Sequence, residues 1–489
     1  MNSLSEFLAI LEDQGELRRI AAPVDPALEI AEITLRVSRQ GDGGPALFFE
    51  SVRGSKIPVV TNLLGSRGRI CKALGVRCLD ELSARWDSAA PSAEGPARWL
   101  EALKLTSPGA SFAPRVVKTG YCQQIVKLGR DVNLWELPVL RSWPNESLPA
   151  ITLGQVFTRC PQTQRTAVEV LPVQVLDQQR LAPCWHRQHA GYRHWETAAA
   201  ANQQLPIAIV LGGHPAAVLA GIATLPSQID PLTFSGFVQS TKLELIKCRS
   251  HDLEVPAHAE IVLEGILDPA IPRQRPAAIA VAGGFYAHRE NDWPVVQATA
   301  VTHRANPIYP AQIIAGPPSE DAWMRLAMSR LLFPWIQLSV PELVDCHSPA
   351  TGVGRNWLFV SIRKDYPAAA RKVLSALWGH PATHLTKGIV VVDEGVDLDS
   401  TDQVWFAVGA HADPGSDLVV VDGPVEIDDL SASVPGIGKK LGIDATRKLP
   451  EERHARPAVS PLLMPDSIRQ QVVQRWTEFG FPSLESPAP

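Results

Sequence analysis

Basic residues never gather in this sequence of 489 residues: 46 Lys and Arg stand against 51 Asp and Glu, giving a net charge of −5, and no run of about five or six like charges occurs. That absence removes the electrostatic footprint expected for a nucleic-acid or anionic-membrane partner. Long apolar runs are missing too. The most apolar stretches, Pro206–Gly212 and Pro215–Leu225, fall well short of the roughly 20 residues needed to cross a bilayer, so no membrane span is expected. The opening Met1–Phe7 has neither a basic n-region nor an apolar h-region, which predicts a cytoplasmic protein. Cys71, Cys78, Cys122, Cys160, Cys184, Cys248 and Cys346 form an odd set without a C-x-x-C pair. Neither a disulfide framework nor a Cys-rich zinc site is suggested, and most are expected to be small buried hydrophobes. Also absent are a phosphate-binding G-x-x-x-x-G-K-[ST], an H-E-x-x-H, a G-x-S-x-G and a dinucleotide-type G-x-G-x-x-G after a strand.

What is present is a globular composition, 45% apolar and 20% charged, in a chain long enough for roughly three domains. Leu4, Phe7, Leu8 and Leu11 recur at helical spacing behind a Ser3 cap, with Glu6 three residues later and a stop at Gly15. Short strands are expected at Pro45–Glu50 and Ile57–Thr61, and Leu79–Leu105 has a helical pattern, which makes residues 1–110 an N-terminal α/β domain. Ser107–Pro114 is the first linker candidate. The central segment, 116–315, carries many short strands, among them Ile151–Thr158, Val168–Leu176, Ile207–Leu211 and Glu260–Glu264, a spacing that suggests a β-barrel or split barrel. After the Gly316–Ser319 junction, Trp357–Arg363 and Gly388–Val392 read as strands and Pro367–Trp378 and Asp402–Ala410 as helices. Residues 320–489 are therefore a C-terminal α/β domain. Its last helix, 465–479, places Ile468, Val472, Trp476 and Phe479 on one face, with Phe481 just beyond, and is expected to dock on its own core or on a second subunit.

Polar clusters are few. Trp185–His189 with His194 brings three imidazoles into nine residues, enough in principle for a metal; the competing reading is a hydrogen-bonded loop, favoured by the scarcity of nearby carboxylates. Gly436–Gly442 is a basic, glycine-rich segment with two readings, an approach to a phosphate or a structural turn, and the turn is the favoured one.

Longer strings resemble the UbiD family of prenylated-flavin-dependent carboxy-lyases over almost the whole chain. They are Leu4–Ile20, Gly44–Glu50, Pro58–Gly65, Leu134–Pro138 leading to Trp143-Pro144, Lys247–Gly265 and Gly442–Thr446, with Asp252–Gly265 the most specific. The resemblance implies an N-terminal α/β domain, a central split β-barrel related to flavin reductases, a C-terminal α/β domain and a final helix that reaches across a dimer. It also implies prenylated FMN held with Mn²⁺ and K⁺, acting on an aromatic or unsaturated carboxylic acid, with an Arg and two carboxylates for the polar steps.

Transferred residue by residue, that machinery is incomplete. The family's Asn metal ligand and catalytic Arg fall on Ala167 and Pro172, its two carboxylates on Ala277 and Ala282, and its Glu ligand on Pro231. The metal-binding His falls on Gln188 by strict counting, and a small shift brings His186 or His189 into place. Lys387 matches a family Lys near the cofactor phosphate, and a surface Lys before a strand is the equal alternative. Alanine and proline offer neither a proton nor a metal lone pair. Arg165, Glu169, Asp230, Arg275 and Glu290 are the ionisable neighbours available as substitutes. Three readings follow: a UbiD-like protein with an altered active site, a non-catalytic subunit or regulator of an active UbiD-like complex, and a binding module for a small carboxylic acid.

Overall fold

The computed structural model describes residues 3–89, 112–225, 229–287, 292–353, 355–452, 462 and 464–481. The chain divides into two compact units, Met1–Arg447 and Lys448–Pro489.

The first unit opens on the expected helix, Leu4–Asp13. Ser3 Oγ accepts the Glu6 N–H and Leu4, Phe7, Leu8 and Leu11 are buried, so one capped turn and one apolar stripe suffice to set its start and its inward face. A four-stranded sheet follows in the order Leu17–Ile20, Ala46–Phe49, Val59–Thr61 and Tyr309–Pro310. The centre is a curled antiparallel half-barrel of nine strands, built around Leu205–Leu211, Ile261–Leu267 and Val296–His303. Alternation assigns its faces. Ile207, Ile209, Ile261 and Leu263 pack with Val24, Ile30 and Phe49 from the N-terminal segment, whereas Ala208, Val210 and Val262 pack with Cys122, Cys248 and Val255 on the other side.

Two expected strands are corrected by this structure. Ile151–Thr158 is divided into Ala150–Ile151 and Gln155–Arg159 at Gly154, where a Cβ would come within 2.9 Å of Ile209 Cγ2. Val168–Leu176 is divided into Thr166–Val170 and Val173–Val175; Pro172, between them, has no N–H to give a ladder. In the Leu79–Leu105 region, Leu79–Glu81 and Leu82–Ala89 are helical. Residues 90–105, and 107–111 of the linker candidate, lie outside the described residues.

The 20-residue helix Glu320–Ser339 packs Met324, Leu331 and Trp335 against Leu4, Phe7 and Phe237. Beyond it stands a five-stranded sheet, in the order Leu343–His347, Trp357–Ile362, Gly388–Asp393, Ile437–Asp444 and Leu418–Pro424. The helices Ala369–Gly379 and Thr401–His411 cover opposite faces through separate apolar clusters. The glycine-rich Gly436–Gly442 segment is mostly strand, not turn. Its Lys440 is buried, donating to the carbonyls of His384 and Thr386, and burial lowers its ammonium pKa to about 8. Gly442 is required by close packing: a Cβ there would lie 2.5 Å from Leu374 Cδ1.

Within the second unit, the helix Asp466–Gln474 passes into a 3₁₀ turn, Trp476–Phe479, that Gly480 ends in the left-handed region. The Trp476 and Phe481 rings stack with centroids 4.8 Å apart, and the Arg475 guanidinium lies over Phe479. Among the described residues no helix is long and apolar enough to cross a membrane.

Candidate functional site

The five positions that the resemblance places at the chemistry are carried by backbone already committed to the scaffold. Ala167 is buried in the strand Thr166–Val170, opposite Thr158. Pro172 uses its carbonyl to accept the Cys184 N–H at 2.9 Å. Ala277 is held through its main chain by the Gln174 amide, at 3.1 and 3.2 Å. Ala282 lies in the turn between Ile279–Val281 and Phe285–Ala287. Pro231 is the first residue of the helix Pro231–Gln239, behind an Asp230 cap whose carboxylate accepts the Thr233 N–H and hydroxyl.

The histidine segment is ordered by its own contacts. His186 and His189 stack with ring centroids 5.0 Å apart, and His189 Nδ1 accepts the His186 N–H at 2.9 Å, which fixes that nitrogen as the unprotonated one. Just after them, the N-terminus of the helix Ala190–Ala200 gives its Ala190 and Gly191 N–H groups to the Glu169 carboxylate, at 2.7 and 3.1 Å. A Cβ on Gly191 would meet both Trp185 and Glu169, so glycine is what permits this approach. Deeper on the same helix, His194 shares a hydrogen bond with Thr158 Oγ1, and burial pushes its pKa down.

Lys387 reaches Asp429 at 3.1 Å and also Ser431. Burial alone would raise the Asp429 carboxyl, but Ser431 and Lys387 hold it below the ordinary range. The loop carrying Asp429 and Ser431 ends near Gly436, where a Cβ would lie 3.6 Å from the Gln188 amide nitrogen. The structure thus brings Lys387 and the Trp185–His189 segment to two parts of one loop. Among the proposed substitutes, Arg165 and Arg275 are exposed, Asp230 caps a helix, Glu169 is engaged as above, and Glu290 lies outside the described residues.

Sequence reasoning missed a narrow, solvent-open cleft between the helix Glu320–Ser339 and the C-terminal sheet, walled by Met328, Leu332, Ile336, Trp357 and Leu358. Two guanidiniums line it. Arg325 pairs with Asp321 at 2.7 Å; burial alone would lower its pKa, but Asp321 and Glu426 hold it above its ordinary value. Arg355 donates to Thr224 Oγ1 and the Ile222 carbonyl, at 2.5 and 2.7 Å, and lies 3.5 Å from Glu426. Arg325 also borders a small surface indentation, whose wall includes Gly283, the neighbour of Ala282. An apolar cleft edged by these two guanidiniums, each already paired with a carboxylate of this chain, suits a small apolar molecule with one polar end. No local pattern marks it, because its parts lie more than a hundred residues apart.

A second buried group missed in the sequence is Glu146. Its carboxylate accepts the N–H groups of Ser142, Trp143 and Ala280, while burial raises its pKa against those three donors. It ties the Trp143-Pro144 turn to the segment that carries Ala277 and Ala282.

With that geometry established, the comparisons are specific. Family models for the N-terminal, Rift-related and C-terminal domains of 3-octaprenyl-4-hydroxybenzoate carboxy-lyase match residues 8–86, 115–318 and 322–445. An uncharacterized protein of Aquifex aeolicus is 37% identical over 480 residues, 98% of each chain. The closed form of the Sedimentibacter hydroxybenzoicus vanillic acid decarboxylase superposes with a TM-score of 0.87 at 28% identity, covering 98% of this chain and 99% of that one. An evolved dimeric form of the UbiD-class enzyme HmfF from Pelotomaculum thermopropionicum, in complex with prFMN, gives 0.77 at 29% identity, covering 94% and 97%. Matched across all three domain models and along nearly its full length, this chain belongs to the UbiD family of carboxy-lyases.

Proposed function

We propose that this chain binds a small aromatic or unsaturated carboxylic acid in the arginine-lined cleft and, by itself, lacks the prenylated-FMN decarboxylation chemistry of its family. The observation that carries the reading is the donor set. The positions matched to metal and proton-transfer groups end in the methyl of Ala167, Ala277 and Ala282 or the rings of Pro172 and Pro231, and Lys387 is already neutralised by Asp429. His186 or His189 remains as one imidazole ligand, with Gln188 beside them. One imidazole is too little for a hard Mn²⁺ ion, which takes mainly oxygen donors, and K⁺ is no better served. These residues do not fit a prenylated FMN–Mn²⁺–K⁺ group.

The reading includes a three-domain division with junctions near residues 110 and 315, supported by the pattern changes there, and a reducing cytoplasmic setting, which suits seven unpaired cysteines. The deciding experiment is purification from cells that make prenylated FMN, followed by an absorption spectrum, metal analysis and calorimetry with benzoate- and cinnamate-type acids. The expected result is substoichiometric flavin and manganese together with acid binding that Arg325→Met and Arg355→Met abolish. Stoichiometric flavin with tightly bound manganese would overturn it.

A second reading, a non-catalytic subunit of an active UbiD-like complex, is favoured by the helix Asp466–Gln474, none of whose residues is buried although Ile468, Val472 and Val473 are apolar. Helix 465–479 is then the dimerisation element, in a homodimer, a higher oligomer or a pair with a UbiD-like partner.

A further inference from the structure

The hairpin within the Lys247–Gly265 string holds a set of side chains that the reading above does not use. Cys248 leaves the strand Glu244–Lys247, His251 sits at the tip, and Glu264 faces them from the half-barrel strand Ile261–Leu267. One ligand atom of each lies within 4.8 Å of the other two. Cys248 is 8% exposed and Glu264 1%.

The hydrogen bonds determine what each atom can offer. His251 Nε2 lies 3.1 Å from the Ile207 carbonyl oxygen. A carbonyl only accepts, so Nε2 carries the proton and Nδ1 is left with a lone pair. Nδ1 is buried and has no hydrogen-bond partner. An imidazole that donates one N–H to a main-chain carbonyl and keeps its other nitrogen buried without a partner has the arrangement of a metal ligand with its supporting contact. Glu264 accepts from the Arg249 N–H, the Ser250 N–H and the Ser250 hydroxyl at 2.6–2.8 Å, three donors that fix its direction. Two oxygens have about four lone-pair sites, so one remains for a further bond.

The geometry points to a site for Zn²⁺, or a similar borderline-soft divalent cation, formed by Cys248 Sγ, His251 Nδ1 and a Glu264 carboxylate oxygen. Bond lengths of about 2.3 Å to sulfur and about 2.0–2.2 Å to nitrogen or oxygen put tetrahedral ligands roughly 3.5 Å apart, so the set closes by no more than about 1.3 Å. Binding releases the thiol proton to solvent, and thiolate plus carboxylate then balance the two positive charges of the ion. Water completes the fourth position. The ion would clamp the hairpin tip to the barrel strand, which makes this a structural site on residues separate from those of the proposed acid cleft.

The test is titration of the chelator-treated full chain with Co²⁺ and Zn²⁺. One equivalent of Co²⁺ is expected to give a thiolate-to-cobalt charge-transfer band that Zn²⁺ bleaches, and Zn²⁺ should raise the unfolding midpoint. Cys248→Ser is expected to abolish the band, and His251→Ala to weaken binding by more than the roughly hundredfold seen for loss of a supporting contact. Replacing both His186 and His189 by Ala should leave it intact. Absence of a thiolate band in the wild-type protein overturns the site, whatever the folding of the variants, and so does a band that survives Cys248→Ser.

Discussion

Glu169 is the substitute carboxylate on which the structure places the most weight, and Glu169→Ala tests that directly. Its carboxylate takes two N–H groups, at 2.7 and 3.1 Å, from the first turn of the helix Ala190–Ala200. A side-chain cap contributes about 0.5–2 kcal/mol and a hydrogen bond to a charged group about 1.5–3 kcal/mol. Glu169 is only half-buried, so solvent screens the charge and water can replace part of what is lost. Together these give an expected destabilisation of about 1.5–2.5 kcal/mol. Glu169→Gln keeps an acceptor oxygen without the charge and should lose less than half as much. Urea denaturation followed by far-UV circular dichroism measures both, and unchanged m-values would show that the two proteins unfold to similar states. Limited proteolysis should also find new cleavage near residues 185–191, because the carboxylate ties the His186–His189 segment to the barrel strand. A Glu169→Ala protein within about 0.5 kcal/mol of wild type refutes the assignment, since that is the range of an ordinary surface substitution.

Three further outcomes are expected. Glu260 is completely buried and burial pushes its carboxyl up to about 7, against Arg304 and the Ile308 N–H; the folded state therefore binds the extra proton, and its contribution to stability falls as pH rises from about 4.5 to about 7, by on the order of 3 kcal/mol. Glu260→Gln should flatten that part of the stability curve, and chemical denaturation at about pH 5 and about pH 8 showing the same slope in both proteins counts against it. Installing Pro172→Arg, Ala277→Glu and Ala282→Glu together should give no decarboxylation of hydroxybenzoate- or cinnamate-type acids, because Ala167 and Pro231 still supply no metal donor; turnover by the unmodified, isolated protein would contradict the proposed loss of chemistry. Truncation before Pro465 should dissociate the oligomer, and Trp476→Ala should weaken association by about 2 kcal/mol or more, both read by sedimentation; an unchanged oligomer after truncation excludes the helix from the interface.

The sequence was most informative where one element is specified by neighbours in the chain. Ser3, Glu6 and the Leu4, Phe7, Leu8, Leu11 stripe define a helix locally, and the structure returns it with the same cap and the same buried face. Strand interruptions at Gly154 and Pro172 were less legible, because the first depends on a clash with Ile209 that only the paired strand supplies. Lys439 and Lys440 look alike in the chain, yet one pairs with Asp422 at the surface and the other is buried against two carbonyls. The alternation that separates them appears only once Ile437–Asp444 is known to be a strand between two others. The candidate sites are harder still: Lys387 meets Asp429 across 42 residues, Arg355 meets Thr224 across 131, and His251 meets Ile207 across 44.

The strings that carry the resemblance and the five positions proposed to have lost their chemical side chains are attached to the fold in different ways. In Lys247–Gly265, backbone and side chains are both engaged: Cys248 N–H bonds Leu253, His251 bonds Ile207, and Glu264 holds the hairpin by three donors. Changing such a residue disturbs several neighbours at once. The substituted positions lack this entanglement. Pro231 stands at the first turn of a helix, where the missing N–H is unneeded and the fixed φ is favourable. Pro172 sits at a strand break and contributes only its carbonyl, Ala277 is held through its main chain by Gln174, and Ala282 occupies a turn. At each, the backbone keeps its bonds whichever side chain is present, so a scaffold of this kind tolerates the loss of chemistry proposed above. The proposed loss of activity and the intact fold are compatible for that reason, and restoration of activity must be judged by the complete donor set rather than by any one residue.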